Sequence, residues 1–436
     1  MSDDNLPLDF NARYALFADG AEVASGGARL DLTNDSLGLK PDQGQVLNYP
    51  LREITDLLPG DYCVTLVAGE EKLTLSHLGK DYENFQRELS RRRSALLLSD
   101  LLMEEPLIIG NLRADVVHIS PEHSKTSGKA ELRLYQTALV VIPEVGTPVR
   151  VPFSDINEAK EQDYRYIIRT EYGDEFTFSR LGRDLEPLKR NLGELSQNLA
   201  LKVQAMVKEL MPSASQAMVL KLAGIMKEGR AARRRDIEAV GPGLWHELEQ
   251  QILNSDASEE YAYLKSIGNE QDLSIGVKRG LKEGEADYLW FMVPVYSTGH
   301  HKPGNAVIME AISGEGESRA TYAFRLVGRK TYPSLKTEEA LQLEAARFLR
   351  DINRALIAIN FRREPIYLTR EMLRRPQYAR YMHSIAALPE LRALRWLYIG
   401  RVLHITPEQW QSDLADLLAF NTKTTDDAAI WIKSSG

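Results

Sequence analysis

The chain has 436 residues, of which 43% are hydrophobic and 27% charged, a composition typical of a globular protein with room for about three domains. Its single cysteine, Cys63, excludes an internal disulfide framework. No apolar run approaches the roughly 20 residues of a membrane span, and the acidic start MSDDNLPLDF lacks the apolar core of a secretory signal. We therefore expect a soluble, cytoplasmic protein.

The N-terminal half contains one sequence pattern twice. Residues 28–54 recur in residues 130–156, and residues 73–89 recur in residues 176–192, with Gly79 matched to Gly182. This period is far longer than the 20–50 residues of solenoid repeats. The sequence therefore predicts two domains of the same fold, repeat 1 over residues 1–100 and repeat 2 over residues 101–197.

Each copy is predicted to contain short strands followed by one helix. Alternating apolar residues at 28–32 and 130–134 are typical of half-buried strands. After Gly79 and Gly182 the apolar spacing becomes helical. Strands closed by one amphipathic helix form a small antiparallel barrel or sandwich. The further strands of repeat 1 are predicted at 14–17, 37–39, 63–67 and 73–75, with one more entering Pro50. Those of repeat 2 are predicted at 115–119, 138–142, 166–169 and 176–178, with one more entering Pro152.

This order of elements resembles the pleckstrin-homology-like superfamily, including its GRAM-like branch. The resemblance implies non-enzymatic binding modules for lipid headgroups, peptides or other domains. Lipid-binding members carry basic residues beside the loop between the first two strands, where repeat 2 has Lys125, Lys129 and Arg133 and repeat 1 has only Arg29. Those cations can equally be a solvated hairpin edge that deters strand pairing.

Charge argues against a membrane-binding role for the repeats. Residues 1–200 carry 22 Lys and Arg against 33 Asp and Glu, a net charge of −11, whereas the remaining residues carry 32 against 29. An acidic surface of this kind repels phosphate groups and anionic lipids. We therefore expect no strong membrane binding.

Residues 198–261 are predicted to be a helical connector. Leucine and related residues from Leu188 to Leu210 repeat every three or four positions, a seam that packs either on a neighbouring helix or in self-association. The basic run from Lys227 to Arg235 follows, with Arg233, Arg234 and Arg235 at its end. It is either a solvated helix face or linker, or a contact with nucleic acid or an acidic partner.

Residues 262–436 are predicted to form an α+β domain. Four strands at 272–277, 288–295, 306–312 and 320–327 precede a long helix over 337–360, capped by Thr337, and helical segments follow to the end. The sequence leaves open whether this domain is a distant third copy of the repeat. The predicted fold class is α+β and multidomain: two tandem antiparallel β-barrels each closed by a C-terminal helix, a helical connector, then an antiparallel sheet with helices.

Catalytic and metal-binding motifs are absent from the sequence, so no cofactor is expected. The adjacent His300 and His301, in the segment STGHHKPGN, are weak metal candidates. On extended backbone two neighbouring histidines point to opposite sides, which favours a simple hairpin tip.

Arginine density is the strongest chemical signal. Between Arg347 and Arg401 there are twelve arginines and four acidic residues, with tyrosines and a tryptophan interleaved. Such a surface binds phosphates and bases, but it equally suits docking within the chain, self-association or a protein partner. The candidate binding residues are Arg362, Arg363, Arg370, Arg374, Arg375 and Arg380.

The sequence favours a non-enzymatic interaction or scaffold protein that binds a protein partner, or itself, through the β-modules and the arginine-rich region. The alternative is a nucleic-acid-binding protein that uses the two basic regions. An enzyme with an unrecognised site comes third.

Overall fold

A computed structural model describes residues 7–101, 105–121, 125–280, 287–298, 304–313, 319–424 and 426–432. The chain divides into two compact units. Unit 1 contains Met1–Ser196 together with Arg370–Ala387, and unit 2 contains Gln197–Thr369 and Leu388–Gly436. The three boundaries between the four domains inferred from the sequence stay a prediction, but the first segment of unit 1 ends within one residue of the predicted end of repeat 2. The sequence did not indicate that residues 370–387 belong to unit 1.

Repeat 1 is a seven-stranded antiparallel sheet that curls round its core and is followed by a helix. The strand order is β4-β3-β2-β1-β7-β6-β5, so the long β1 pairs with both β2 and β7. Leu30, Leu32 and Leu37 are fully buried, and the helix adds Phe85 and Leu89 to the same core. The elements are β1 (Leu8–Ala18), β2 (Ala21–Leu32), β3 (Ser36–Pro41), β4 (Leu47–Pro50), β5 (Asp56–Gly60), β6 (Cys63–Ala68), β7 (Glu71–Ser76) and α1 (Tyr82–Asp100).

Repeat 2 has the same strand order, β11-β10-β9-β8-β14-β13-β12, and its own closing helix. Leu132, Leu134 and Leu139, which match the core leucines of repeat 1, are also fully buried. The duplicated fold is therefore confirmed, and it is compatible with the pleckstrin-homology-like resemblance. The elements are β8 (Leu107–Ile119), β9 (Thr126–Tyr135), β10 (Ala138–Pro143), β11 (Val149–Pro152), β12 (Ile156–Gln162), β13 (Arg165–Thr170), β14 (Glu175–Ser179) and α2 (Leu185–Leu210).

Short helices follow α2, as the sequence predicted. Val203, Met206 and Leu210 of α2 pack in the core of unit 2 with Val219 and Leu222 of the next helix. This part of the apolar seam therefore packs within its own unit, the first of the two alternatives. The elements are α3 (Gln216–Ile225), β15 (Ala232–Arg233), α4 (Arg234–Val240), α5 (Leu244–Leu253) and α6 (Ser258–Ile267).

Unit 2 is built on a six-stranded antiparallel sheet in the order β15-β16-β17-β18-β19-β20, which differs from the order in the repeats. The four predicted strands are its central strands, and the edge strands β15 and β20 were missed. The prediction that only helices follow residue 360 is wrong at β20. The strands are β16 (Ser274–Lys278), β17 (Tyr288–Val295), β18 (Ala306–Ser313), β19 (Ala320–Phe324) and β20 (Tyr398–Leu403).

Helices cover both faces of this sheet. One face packs on the helices between α2 and α6 and on the last helix, and the other face contacts the long helix through Phe324 and Phe348. The Thr337 hydroxyl accepts a hydrogen bond from the Ala340 amide, so the predicted N-cap is confirmed. The elements are α7 (Glu338–Ala358), α8 (Glu364–Tyr367), α9 (Arg370–Leu373), α10 (Met382–Ala387), α11 (Pro389–Leu397) and α12 (Pro407–Lys423).

Candidate protein-interaction surface

The three cations of repeat 2 lie at the β8–β9 hairpin, but acidic residues accompany them. Arg133 Nε donates to Glu131 Oε1 at 2.7 Å, and Glu131 lies between Lys129 and Arg133 on the outer face of β9. Lys129 is also opposite Asp115 of β8. Lys125 precedes β9 and is exposed. The three cations therefore do not form an uninterrupted basic patch.

We expect the protein not to sediment with anionic phosphatidylserine vesicles at physiological salt. Each basic residue near a membrane contributes only about 1 kcal/mol, which the net charge of −11 over residues 1–200 outweighs. Vesicle co-sedimentation measures this directly. Robust sedimentation that is lost when Lys125, Lys129 and Arg133 are changed to Ala would contradict the expectation.

The basic run at 227–235 ends in three arginines that pair inside unit 2. Each of them lies within ion-pair distance of a carboxylate on α4 or just before β16. These contacts anchor α4 and favour a structural role over a nucleic-acid contact. The pairs are Arg233 with Asp236 (2.8 Å), Arg234 with Glu238 and Glu270 (2.9 Å each), and Arg235 with Asp272 (2.9 Å).

Most arginines of the 347–401 region that lie in unit 2 are also engaged. Arg354 pairs with Glu390 at 2.6 Å, and Arg395 donates to the carbonyl oxygens of Leu368, at 2.7 Å, and Pro365. Arg362 is half-buried. The guanidinium of Arg363 lies over the Tyr322 ring at 5.8 Å, and that of Arg401 over the Tyr367 ring at 4.3 Å. These side chains stabilise unit 2 by packing and cation–π contacts.

Residues 370–387, which we call the arginine segment, contribute four arginines to unit 1. The segment contains α9, a turn and α10, and it packs on α1 of repeat 1. Its anchors are Leu373, Tyr381 and His383, all of them buried. Nearby, the Arg52 guanidinium donates to both carboxylate oxygens of Asp100, at 2.7 and 3.1 Å. Burial raises the pKa of Asp100, against the opposing effects of the Arg52 hydrogen bonds and the Arg380 charge.

Arg93 on α1 lies where both repeats meet. Only 1% of its surface is exposed, and its guanidinium donates to the carbonyl oxygens of Ile54 (2.7 Å) and Gly146 (3.0 Å) and to the Thr147 hydroxyl (3.0 Å). Burial lowers the pKa of Arg93 to about 10. Burial and the Arg93 charge together lower the pKa of His383 to about 4, so this imidazole is neutral at physiological pH. One helix thus joins repeat 1, repeat 2 and the arginine segment.

The outer side of the arginine segment is basic. Arg370, Arg374, Arg375 and Arg380 are exposed, and within the described residues the first three have no ion-pair partner. The Arg380 guanidinium lies over the Tyr381 ring at 5.1 Å. The arginine segment therefore presents four exposed guanidinium groups on the surface of an otherwise acidic unit.

A buried polar cluster in unit 2 was not visible in the sequence. His404 Nδ1 lies 3.0 Å from Glu260 Oε1, and His404 Nε2 lies 3.0 Å from Glu310 Oε1. Arg319 lies 3.3 Å from Glu260, which brings the cluster to two positive and two negative groups. Burial disfavours the charged imidazole, but the hydrogen bonds to both glutamates outweigh it and raise the pKa of His404 to about 9. A histidine that stays protonated is a poor general base at neutral pH.

The weak metal candidates His300 and His301 lie outside the described residues. Within the described ranges, no group of three or more His, Cys, Asp or Glu side chains is placed to hold a metal ion. In the same part of the chain, no helix combines the length and apolar character needed to cross a bilayer.

No family model and no curated protein matches the chain. A solved structure described as the Spt16D Pob3N heterodimer is 12% identical over a match that covers 38% of this chain and 83% of that chain, with a TM-score of 0.17. A likeness at this TM-score carries no argument about function, which therefore rests on the contacts described above.

Proposed function

We propose that this chain is a non-enzymatic scaffold protein, located in the cytoplasm, that binds a protein partner through its tandem repeats and the exposed arginines of the arginine segment. The observation that carries the proposal is the seating of the arginine segment on α1, with Tyr381 and His383 buried. Buried aromatic anchors on a short helical segment are typical of protein–protein recognition. Helix α1 of repeat 1 already binds one such segment of the same chain.

The chemistry of the exposed arginines favours acidic protein groups as ligands. Guanidinium binds carboxylate through two parallel hydrogen bonds, and arginine is enriched at protein interfaces. Binding to duplex DNA rests largely on contacts with several phosphates, about 6–10 in a complex whose affinity falls steeply with salt. The arginine segment offers four exposed arginines on an acidic unit, and Arg233, Arg234 and Arg235 are already paired. The observed charges therefore support a protein partner more than nucleic acid.

The test reverses two of the exposed charges in the full-length protein. Arg374→Glu with Arg375→Glu is expected to abolish retention of the partner in affinity capture from the native host, quantified by mass spectrometry. Lys202→Glu with Lys221→Glu is the matched control, since it makes the same charge change at exposed residues that lie outside the repeats and the arginine segment. The control should retain the partner. Equal retention by both variants would contradict the proposal.

A nucleic-acid function predicts a different response. The wild-type protein would then retard a labelled duplex, the shift would weaken steeply between low and moderate salt, and the Arg374→Glu, Arg375→Glu variant would show a smaller salt slope. We expect no such retardation at physiological salt. A retardation with these properties would replace the scaffold proposal by nucleic-acid binding.

A further inference from the structure

The last described residues, 426–432, which we call the tail, contact the edge strand β20 through Trp431. The Trp431 amide donates to the Ile399 carbonyl oxygen at 2.7 Å. β20 is an edge strand of the sheet, so its outer backbone groups need a partner or solvent. The tail supplies one in the manner of β-augmentation, in which an extended peptide adds to a sheet edge.

A fully buried guanidinium holds the tail by its main chain. Arg325 donates to the carbonyl oxygens of Asp427 at 3.0 Å and Ala429 at 3.2 Å, and none of its surface is exposed. The Arg329 amide donates to the Asp427 carboxylate at 3.1 Å. The tail therefore supplies main-chain acceptors for a guanidinium that is fully buried when the tail is in place.

The rest of the site selects for a tryptophan. The Trp431 side chain packs against the core of unit 2, whereas Ile430 and Ile432 are 47% and 81% exposed. Gly400 makes the close approach possible, since a Cβ there would lie 2.9 Å from the Trp431 carbonyl oxygen. We call Arg325, Arg329, Ile399 and Gly400 the tail slot. It contacts two tail side chains, an aspartate and a tryptophan four residues later.

We propose that the tail slot is a recognition site for an extended segment of a partner protein, with an aspartate followed four residues later by a tryptophan, and that the tail is a resident occupant which this segment displaces. Hydrogen bonds to main-chain carbonyls do not distinguish the tail from another chain of the same pattern. The tail is tethered, so it competes at an effective concentration on the order of millimolar. The site lies in unit 2 and is independent of the arginine segment, so either proposal can fail without the other.

The test measures binding of a fluorescein-labelled peptide with the sequence of residues 424–436 to the full-length protein by fluorescence anisotropy. Asp427→Ala with Trp431→Ala weakens the resident tail, and this variant should bind the peptide about tenfold or more tightly than wild type does. Ile430→Ala with Ile432→Ala, at exposed positions of the same tail, should bind it as wild type does. Adding Gly400→Val to the first variant should abolish binding.

Three results would overturn the proposal. One is equal affinity of wild type and the Asp427→Ala, Trp431→Ala variant. Another is no binding by that variant while its circular dichroism matches wild type. If it does not fold, the wild-type protein decides: excess peptide should accelerate hydrogen exchange in residues 426–432, and unchanged exchange overturns the proposal. If the wild-type protein is a dimer that the peptide dissociates, the occupant of the tail slot is the tail of a second copy of this chain, and this would replace the proposed partner.

Discussion

Arg93→Met is expected to destabilise unit 1 by about 3 kcal/mol, because it leaves the buried carbonyl oxygen of Ile54 without its donor and removes the hydrogen bonds to Gly146 and Thr147. Methionine keeps much of the side-chain volume, so the loss reports the hydrogen bonds rather than a cavity. A second hydrogen bond from α1 to repeat 2, donated by the Ser90 hydroxyl to the Glu144 carbonyl oxygen, should remain in this variant.

The distribution of tryptophan makes this effect measurable in one unit. All five tryptophans lie in unit 2, so tryptophan fluorescence follows that unit while far-ultraviolet circular dichroism follows both. In urea, Arg93→Met should lower the midpoint of part of the dichroism transition and leave the fluorescence transition in place. Arg91→Met, which removes an exposed pair with Glu88 on the same helix, should cost at most about 1 kcal/mol. Equal effects of the two substitutions would contradict the role given to Arg93.

His404→Ala is expected to destabilise unit 2 by about 3–5 kcal/mol, because it leaves the fully buried Glu310 carboxylate without its nearest positive partner. In urea, the midpoint of the tryptophan fluorescence transition should fall, and the part of the dichroism transition that reports unit 1 should keep its midpoint. His246→Ala is the control, since His246 is exposed on α5 and its removal should change the free energy of unfolding by less than about 0.5 kcal/mol. A loss no larger than that of the control would contradict the buried network.

The same cluster predicts a pH dependence. Folding raises the pKa of His404 from 6.5 to about 9, so its bound proton stabilises the folded state. This stabilisation is complete below pH 6.5 and is lost as the pH rises through about 9. The free energy of unfolding of wild type should therefore fall more steeply between these values than that of His404→Ala. Parallel pH profiles would contradict this assignment.

The duplicated fold was predictable because its sequence signals are local. Matched leucines such as Leu30 and Leu132 define the core, and Gly79 and Gly182 both have positive φ angles, +59° and +54°, that favour glycine. Strands β5 and β12 were missed for physical reasons. β5 contains Pro59 and Gly60, and β12 is an edge strand of largely polar residues, so neither shows an alternating apolar pattern.

Strand β20 and the candidate site depend on contacts between distant residues. β20 follows the amphipathic α11 with no turn residues between them, so the sequence pattern predicts that the helix continues through its six residues. Arginine density was visible in the sequence, but Arg363 is buried over Tyr322 whereas Arg374 is exposed, and only the fold separates them. His404 and Glu260 are 144 residues apart, a distance at which no spacing rule operates.

Hydrogen–deuterium exchange of the arginine segment in the full-length protein tests the central claim most directly. If α1 holds the segment, the amides of residues 378–387 should exchange much more slowly than in a free peptide of the same sequence, with the amides of α7 as the protected reference. Exchange of residues 378–387 at the free-peptide rate, with α7 still protected, would contradict the claim. The proposed scaffold function would lose the observation that carries it.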